Sequence, residues 1–434
     1  MSLPRSLTLL GAVMLVVGNV VGAGIFTTSG MLAGQVSHPL MFIGVWVVGG
    51  ILTLTGALTY AELGAMFPRA GGDYQFIKEA YGSLAAMLLG WLGFWIIFPG
   101  SMAALSIAIV EYIPGLPPIH GTKTLYAVVV IVLLAAVNYR STKLASAAQS
   151  VITIGSIVLL VALVVGGFLF GDGDMANLTR GAEDMPFHFT GSAMIAVFFT
   201  YSGWFAAAYV GSEVIRPERN VPIALILGTL IVTVLYTGIN AVYLLALPLE
   251  KMREAGEINV ATLAATKLFG PSVADAVSVA IILAIASCIN ASVMTGSRLC
   301  FAMADDGIFP TKIGQIHPRF ETPYVAIAVQ AALAVIFAAI GAFDKLLASV
   351  VFAMLLSNTA TGIAHIKLRV QQPQRERPYR THGYPYLTLL FVLAHAVFAV
   401  MIAMENFLVS LLGVGIALTA VPFYFLRHRR DHAA

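Results

Sequence analysis

Charged residues are scarce in this chain. Asp, Glu, Lys and Arg together make up 10% of its 434 residues, against about 25% in soluble domains. Hydrophobic residues reach 59%, more apolar surface than one globular core can hide. That excludes a soluble enzyme and a disordered regulator. Cysteine is almost missing too: Cys288 and Cys300 are the only two, so this is no disulfide scaffold. Both lie in one apolar stretch. On a continuous helix they stand about 18 Å apart, too far for a bridge, and they read as buried thiols. No block of like charge stands out, and the net charge is only +3, so nucleic acid is not an expected partner. No His/Cys/Asp/Glu cluster has metal-ligand spacing, and no phosphate-loop or dinucleotide fingerprint occurs. The reading therefore assigns no cofactor and no metal. The first apolar stretch runs well past the length of a signal-peptide core and carries no clear cleavage site.

What the chain does have is apolar blocks of membrane-spanning length. They fall at roughly 8–34, 40–67, 82–113, 123–139, 146–170, 190–215, 222–247, 271–303, 323–341, 344–368, 385–404 and 406–427. Their length fits helices that need ~20 residues to cross a bilayer, not the short alternating strands of an outer-membrane barrel. The expected fold class is therefore an all-α integral membrane protein of about 12 transmembrane helices, embedded in the lipid bilayer of the cell membrane. Several blocks exceed one straight crossing, so tilts or breaks are expected.

Basic residues orient the spans. With the N-terminus in the cytoplasm, 18 of the 24 Lys and Arg residues fall inside, from Arg5 to Arg430. The outside keeps Lys123, Arg180, Lys251, Arg253, Lys267 and Lys345. An even number of spans then puts both termini in the cytoplasm. The tract Lys367 to Arg380 reads as a topology signal. The longer loops lie at 171–189 and 248–270 outside, and at 304–322 and 369–384 inside. Asn177-Leu178-Thr179 is a short glycosylation pattern of little weight.

Two spans carry interruptions. The first contains Gly18-Asn19-Val20-Val21-Gly22-Ala23-Gly24-Ile25-Phe26. Gly costs about 1 kcal/mol relative to Ala inside a helix. Small residues also serve helix packing in membranes, but Gly22-Ala23-Gly24 is tighter than a packing stripe needs. The sixth contains Thr200-Tyr201-Ser202-Gly203-Trp204. If the first ten spans form two five-span halves, these breaks occupy corresponding positions, the pattern that marks a transporter site. A break exposes amide N–H groups at the start of one half-helix and carbonyls at the end of the other. Bare backbone at that depth must line a cavity. An α-carboxylate suits the first end and an α-ammonium the second, so the breaks favour a zwitterion such as an amino acid.

Longer motifs then match a known group. Tyr60-Ala61-Glu62-Leu63-Gly64-Ala65-Met66-Phe67-Pro68-Arg69-Ala70-Gly71-Gly72-Asp73-Tyr74, with Tyr81-Gly82, resembles the signature after span two of the amino acid–polyamine–organocation superfamily. Gly22-Ala23-Gly24-Ile25-Phe26 resembles its first-span motif. Glu213-Val214-Ile215-Arg216-Pro217-Glu218-Arg219-Asn220-Val221-Pro222 resembles its loop after span six. Ser297-Arg298 with Ala304-Asp305-Asp306-Gly307-Ile308-Phe309-Pro310 resembles its loop after span eight. Through Tyr201-Ser202-Gly203-Trp204 the chain is most similar to the L-type amino acid transporters and bacterial neutral amino acid permeases. The resemblance implies a leucine-transporter-type fold with spans 1 and 6 broken. An inverted repeat covers about 8–170 and 190–368, and extra helices cover 385–427, all in one domain, 1–434. It also implies alternating access around a midplane site.

Carried over by motif, Ala23 and Gly24 bring N–H groups to the substrate carboxylate, Val20 and Val21 bring carbonyls to the ammonium, and Gly22 and Ile25 belong to the same substrate-binding segment. Ser202 and Gly203 add backbone contacts. Phe199 takes the aromatic gate position, and Phe205 the place facing the substrate side chain. The apolar wall carries no carboxylate to partner a buried cation, so neutral substrates are expected. One position departs from the L-type pattern: Ser156 stands where span five would carry a lysine, which excludes a lysine-based proton switch there. Two readings stay open. Ser156 with Ser287 and Asn290 could form a sodium site of oxygen ligands, or the hydroxyl bonds to its own backbone. Coupling to Na⁺ or H⁺ is thus left open.

Other polar residues read as structural. Glu62 is expected in an ion pair with Arg69 or Arg298, and His365 as a lone structural histidine. Glu111, Glu213, Asp275 and Glu405 lie near span ends, and Trp91, Trp95, Tyr112 and Tyr139 fit an interfacial belt. The leading function is secondary transport of neutral L-amino acids, by exchange or ion-coupled uptake. A sodium symporter, an amino-acid sensor and a helper subunit are the alternatives. A membrane-embedded enzyme would need convergent acid and base groups, but the nine histidines are scattered. No oligomeric state or accessory subunit is assigned.

Overall fold

A computed structural model describes residues 3–113, 122–179, 191–341 and 343–431. Arg180, used above for orientation, lies outside the described residues. Regular structure among them is helical, and the two β contacts are isolated bridges, Leu7 to Val214 and Ala70 to Val210. The first part of the chain forms α1 (Leu9–Val20), α2 (Gly24–Ala33), α3 (Pro39–Met66) and α4 (Asp73–Tyr81). Next come α5 (Ser83–Leu92), a π-helical turn at Gly93–Ile97, α6 (Phe98–Val110), α7 (Thr122–Arg140) and α8 (Thr142–Phe170). The rest forms α9 (Gly191–Thr200), α10 (Ala206–Tyr209), α11 (Pro217–Ala246), α12 (Leu249–Phe269), α13 (Ala274–Asp305) and α14 (Tyr324–Ile340). It ends with α15 (Phe343–Gln371), α16 (Tyr386–Glu405) and α17 (Phe407–Asp431).

Among the described residues nine helical segments are long and apolar enough to cross a bilayer, and the bent pair α1–α2 makes a tenth. The other two expected spans are shorter: α14 has 17 residues, and span six is divided between α9 and α10. Helix starts follow local chemistry. The Thr8 hydroxyl accepts from the Gly11 N–H at 3.2 Å, and the Ser141 hydroxyl accepts from the Leu144 N–H at 3.3 Å, satisfying orphan donors. Pro39 and Pro217 sit in first turns, where a missing N–H costs nothing.

Leu125, Val151, Val234 and Leu408 are exposed on the outer faces of their helices, which suits a lipid surrounding. Residues Gly11 to Val20 of α1 are all buried. A helix buried all round belongs at the centre of a bundle, and α1 packs against α8, α11 and α13. The broken segment therefore sits in the interior.

Two expectations need correction. The outside loop at 248–270 is largely helix, α12, kinked at Gly256. Its Val260, Ala261, Ala264, Ala265 and Leu268 recur at helical spacing and are buried, and the helix packs against α2. A short amphipathic helix is invisible to a search for long apolar blocks. Trp91 is not a belt residue: it is buried, its indole N–H donates to the Thr419 hydroxyl at 2.9 Å, and its ring packs on Phe423. Both cysteines are buried and unbridged.

Candidate functional site

Residues Val21–Ala23 separate α1 from α2, which diverge by 40°. Hydrogen bonding resumes unevenly: Val21 N–H reaches back to Val17, while Phe26 and Thr27 N–H both donate to the Ala23 carbonyl. Among the described residues, the amides from Gly22 to Ile25 have no acceptor in the chain. They form a cluster of orphan donors at a helix start, a site suited to an anion. At the other lip, the Asn19 carbonyl accepts from the Cys288 thiol at 3.0 Å, and the Val20 carbonyl accepts from the Tyr236 hydroxyl at 2.8 Å. Among the described residues, the Val21 and Gly22 carbonyls accept from no group.

The second break lies between α9 and α10, at Tyr201–Phe205. Ser202 N–H donates to Phe199 at 2.8 Å, and Ala206 N–H to Gly203 at 3.2 Å. Gly203 has φ of 97°, and a Cβ there would stand 2.6 Å from the Asn19 carbonyl oxygen. Glycine is required on both counts.

Three contacts tie the breaks together. Asn19 Nδ2 donates to the Gly203 carbonyl at 2.8 Å. The hydroxyls of Thr28 and Thr200 meet at 2.8 Å. Tyr236 from α11 donates to Val20 and also lies 3.3 Å from the Thr200 carbonyl. Ala23, Gly24, Phe199 and Ser202 keep part of their surface open, whereas Val20, Val21, Gly22, Ile25, Gly203 and Phe205 are buried. Phe205 packs on Trp204 and Tyr209.

Beneath the first break lies a neutral polar cluster. Gln149 Nε2 from α8 donates to Ser287 at 2.8 Å and lies 3.2 Å from the Thr153 hydroxyl. Thr153 and Ser287 meet at 2.6 Å. Asn290 Nδ2 donates to Gln149 Oε1 at 2.7 Å, and Asn138 Nδ2 to Asn290 Oδ1 at 2.7 Å. A Cβ on Gly18 would lie 2.2–2.3 Å from Gln149, Ser287 and Thr153. Ser287 and Asn290 thus meet Gln149 and Thr153. Ser156 instead donates to the Ile152 carbonyl one turn back, at 2.9 Å. Among the described residues no three His, Cys, Asp or Glu side chains converge to hold a metal.

At the end of the bundle that carries most of the arginines, here the basic end, buried ion pairs close the protein. Arg298 Nε and Nη2 hold the two Glu213 oxygens at 2.6 and 3.0 Å, with both side chains almost fully buried. The Glu213 carbonyl accepts from Ser6 and Leu7 N–H, both at 2.9 Å, and Ile215 N–H returns to Leu7. The expected partners of Glu62 are corrected: it pairs with Arg369 at 2.7 and 2.5 Å and with Arg377 at 3.0 Å. Arg298 is already committed to Glu213. His365 is not alone either, with Nε2 3.2 Å from Glu62. The arginines that Glu62 binds lie over 300 residues away in sequence, and no local pattern announces them. Tyr236, Thr200 and Cys288 were likewise missed, since single polar residues in apolar spans give no distance information.

The chain belongs to the amino acid permease family, whose pattern it matches over residues 7–425. The serine/threonine exchanger SteT of Bacillus subtilis (strain 168) is 33% identical over 394 residues, covering 90% of this chain and 89% of its own length. The human large neutral amino acids transporter small subunit 2 is 29% identical over 439 residues, covering 98% and 81% respectively. The human Asc-type amino acid transporter 1 is 31% identical over 443 residues, covering 98% and 82%. The protein is therefore a multi-pass membrane transporter of this family and not an enzyme.

Proposed function

We propose that the protein exchanges neutral L-amino acids across the cell membrane by alternating access. The observation that carries this reading is the orphan amide cluster from Gly22 to Ile25, facing a second break held in register by Asn19 and Tyr236. The substrate carboxylate docks on those amides. The ammonium takes the Val21 carbonyl and the second lone pairs of Val20 and Asn19. Ser202 and Gly203 add backbone contacts, Phe199 gates the half-open side, and Phe205 with Ala206 and Ala207 limits the side chain. The names of the three relatives, a serine/threonine exchanger and two transporters of amino acids, support the neutral class.

Exchange is favoured over sodium coupling. The Gln149 amide group points its N–H atoms at the Thr153 and Ser287 oxygens. Those are the oxygens a cation would need, and a cation would have to displace that donor. Ser156 is then a structural hydroxyl. We place twelve spans in the membrane as two five-span halves, about 8–170 and 190–368, followed by two more at 385–427. The basic end and both termini face the cytoplasm.

Uptake of a radiolabelled amino acid panel into proteoliposomes, with and without internal amino acid, tests the reading. Uptake of neutral amino acids that requires internal substrate supports exchange. Absence of uptake for every amino acid overturns transport and leaves a sensor or helper role.

A further inference from the structure

Among the described residues three carboxylates are buried near the basic end, and two of them have arginine partners. Glu213 holds Arg298, and Glu62 holds Arg369 and Arg377. The third is Asp73, at the start of α4 and 3% exposed. Its Oδ2 accepts from the Ser357 hydroxyl of α15 at 2.7 Å. Its Oδ1 has no hydrogen-bond partner among the described residues. The titratable groups facing it are the hydroxyls of Tyr60, from α3, and Tyr209, from α10. Four ion pairs engage charged groups on or beside the surrounding elements. Lys78 pairs with Asp306, just past the end of α13, Glu79 with Arg375, Glu62 with Arg369 of α15, and Arg298 with Glu213. An ionised carboxylate left dry and without a cation is costly, so burial shifts the balance toward the neutral acid.

The position couples this charge to movement. Gly71 N–H donates to the Tyr209 carbonyl at 3.0 Å, and Ala70 bridges to Val210. The segment just before Asp73 is thus zipped to the end of α10. If opening the basic end parts this zip, water reaches Asp73.

We propose that Asp73 is a proton-binding site whose occupancy, set by the pH on the basic side, governs whether that end of the transporter opens. The inference rests on the alternating-access reading above. The proton binds Oδ1, forming an O–H bond while the end is closed. That bond breaks to water on the same side when the end opens, so no net proton crosses the membrane. The sign follows from burial, which pushes the carboxyl up from 3.8 to about 6, with the Ser357, Tyr60 and Tyr209 hydroxyls opposing more weakly. The closed form is fully favoured below the hydrated value. That advantage is lost as pH rises through about 6, shifting the closed–open balance by on the order of 100-fold.

The test uses the full chain and the proton as probe. Infrared titration of the purified protein should show a protonated carboxyl band that disappears with a midpoint near pH 6 and is missing in Asp73→Asn. In proteoliposomes the exchange rate should rise across the same window in the native protein and stay at its low-pH level in Asp73→Asn. Ser357→Ala, which removes a bond favouring the ionised form, should move both midpoints to higher pH and serves if Asp73→Asn does not fold. A band and an exchange profile that are unchanged in both variants overturn the proton site while leaving transport intact. A band that titrates as expected in a protein that exchanges no amino acid supports the proton site and overturns the transport reading instead.

Discussion

Asn19 donates from Nδ2 to the carbonyl of Gly203 at 2.8 Å, joining two helix breaks 184 residues apart. The same Asn19 accepts the Cys288 thiol on its own carbonyl. One side chain and one peptide therefore fix the first break against the second and against α13. Backbone groups freed by an interrupted helix are costly inside a membrane unless something satisfies them. Here the chain satisfies the Asn19 and Val20 carbonyls and, among the described residues, leaves the Val21 and Gly22 carbonyls and the amides from Gly22 to Ile25 without a partner.

Asn19→Ala removes that bond and leaves the buried Gly203 carbonyl with only its local partner. A lost buried hydrogen bond costs ~1–3 kcal/mol, so amino acid exchange should fall by about tenfold or more. Gly203→Ala adds a strained φ and a clash with Asn19, and should do worse. Radiolabel exchange in proteoliposomes, alongside thermal unfolding in detergent, separates lost activity from lost protein.

Gly18→Ala places a methyl group in the cluster of Gln149, Thr153 and Ser287. Overpacking of this kind costs ~1–3 kcal/mol, and the unfolding temperature should drop clearly. Gly44, within α3, has nothing within 4 Å of an added Cβ. Gly44→Ala should leave the unfolding temperature unchanged or slightly raised. Equal losses in both variants would contradict the assignment of Gly18 to a close approach.

Breaking the Arg298–Glu213 pair exposes the cost of a lone buried charge. Arg298→Ala should destabilise by ~3–5 kcal/mol. The double variant Arg298→Met with Glu213→Gln, which buries no charge, should recover part of that loss. Equilibrium denaturation of the three proteins measures it, and a double variant worse than the single would contradict the argument.

Replacing Na⁺ by choline should leave exchange unchanged, and Ser156→Ala should behave as the native protein does. Both follow from the Gln149 amide among the Thr153 and Ser287 hydroxyls and from the Ser156 bond to Ile152. Uptake that collapses in choline would restore the sodium reading of Ser156, Ser287 and Asn290.

The breaks were legible because glycine in mid-membrane is expensive and so carries information. Gly22-Ala23-Gly24 and Ser202-Gly203 fall where the helices part. What clamps them was not legible. Tyr236 and Cys288 lie in apolar helices, and nothing along the chain measures their distance to α1. Glu62 illustrates the same limit, since its nearest basic residue in sequence, Arg69, is not its partner in space. Asp73 was visible only as one letter of a longer motif. Among the described residues it pairs with no cation, and Lys78, Arg298 and Arg369 are occupied elsewhere.

On the proposed reading, the two ends of the first helix break bind the two charges of one amino acid, and the second break adds backbone contacts. The most direct measurement is self-exchange of a labelled neutral amino acid in proteoliposomes, competed by two analogues with the same side chain. One is the amine lacking the carboxylate, and the other is the hydroxy acid lacking the ammonium. The account predicts that unlabelled amino acid competes fully and that neither analogue competes at matched concentration. An analogue that competes as well as the amino acid would show that one of the two backbone ends plays no part in binding.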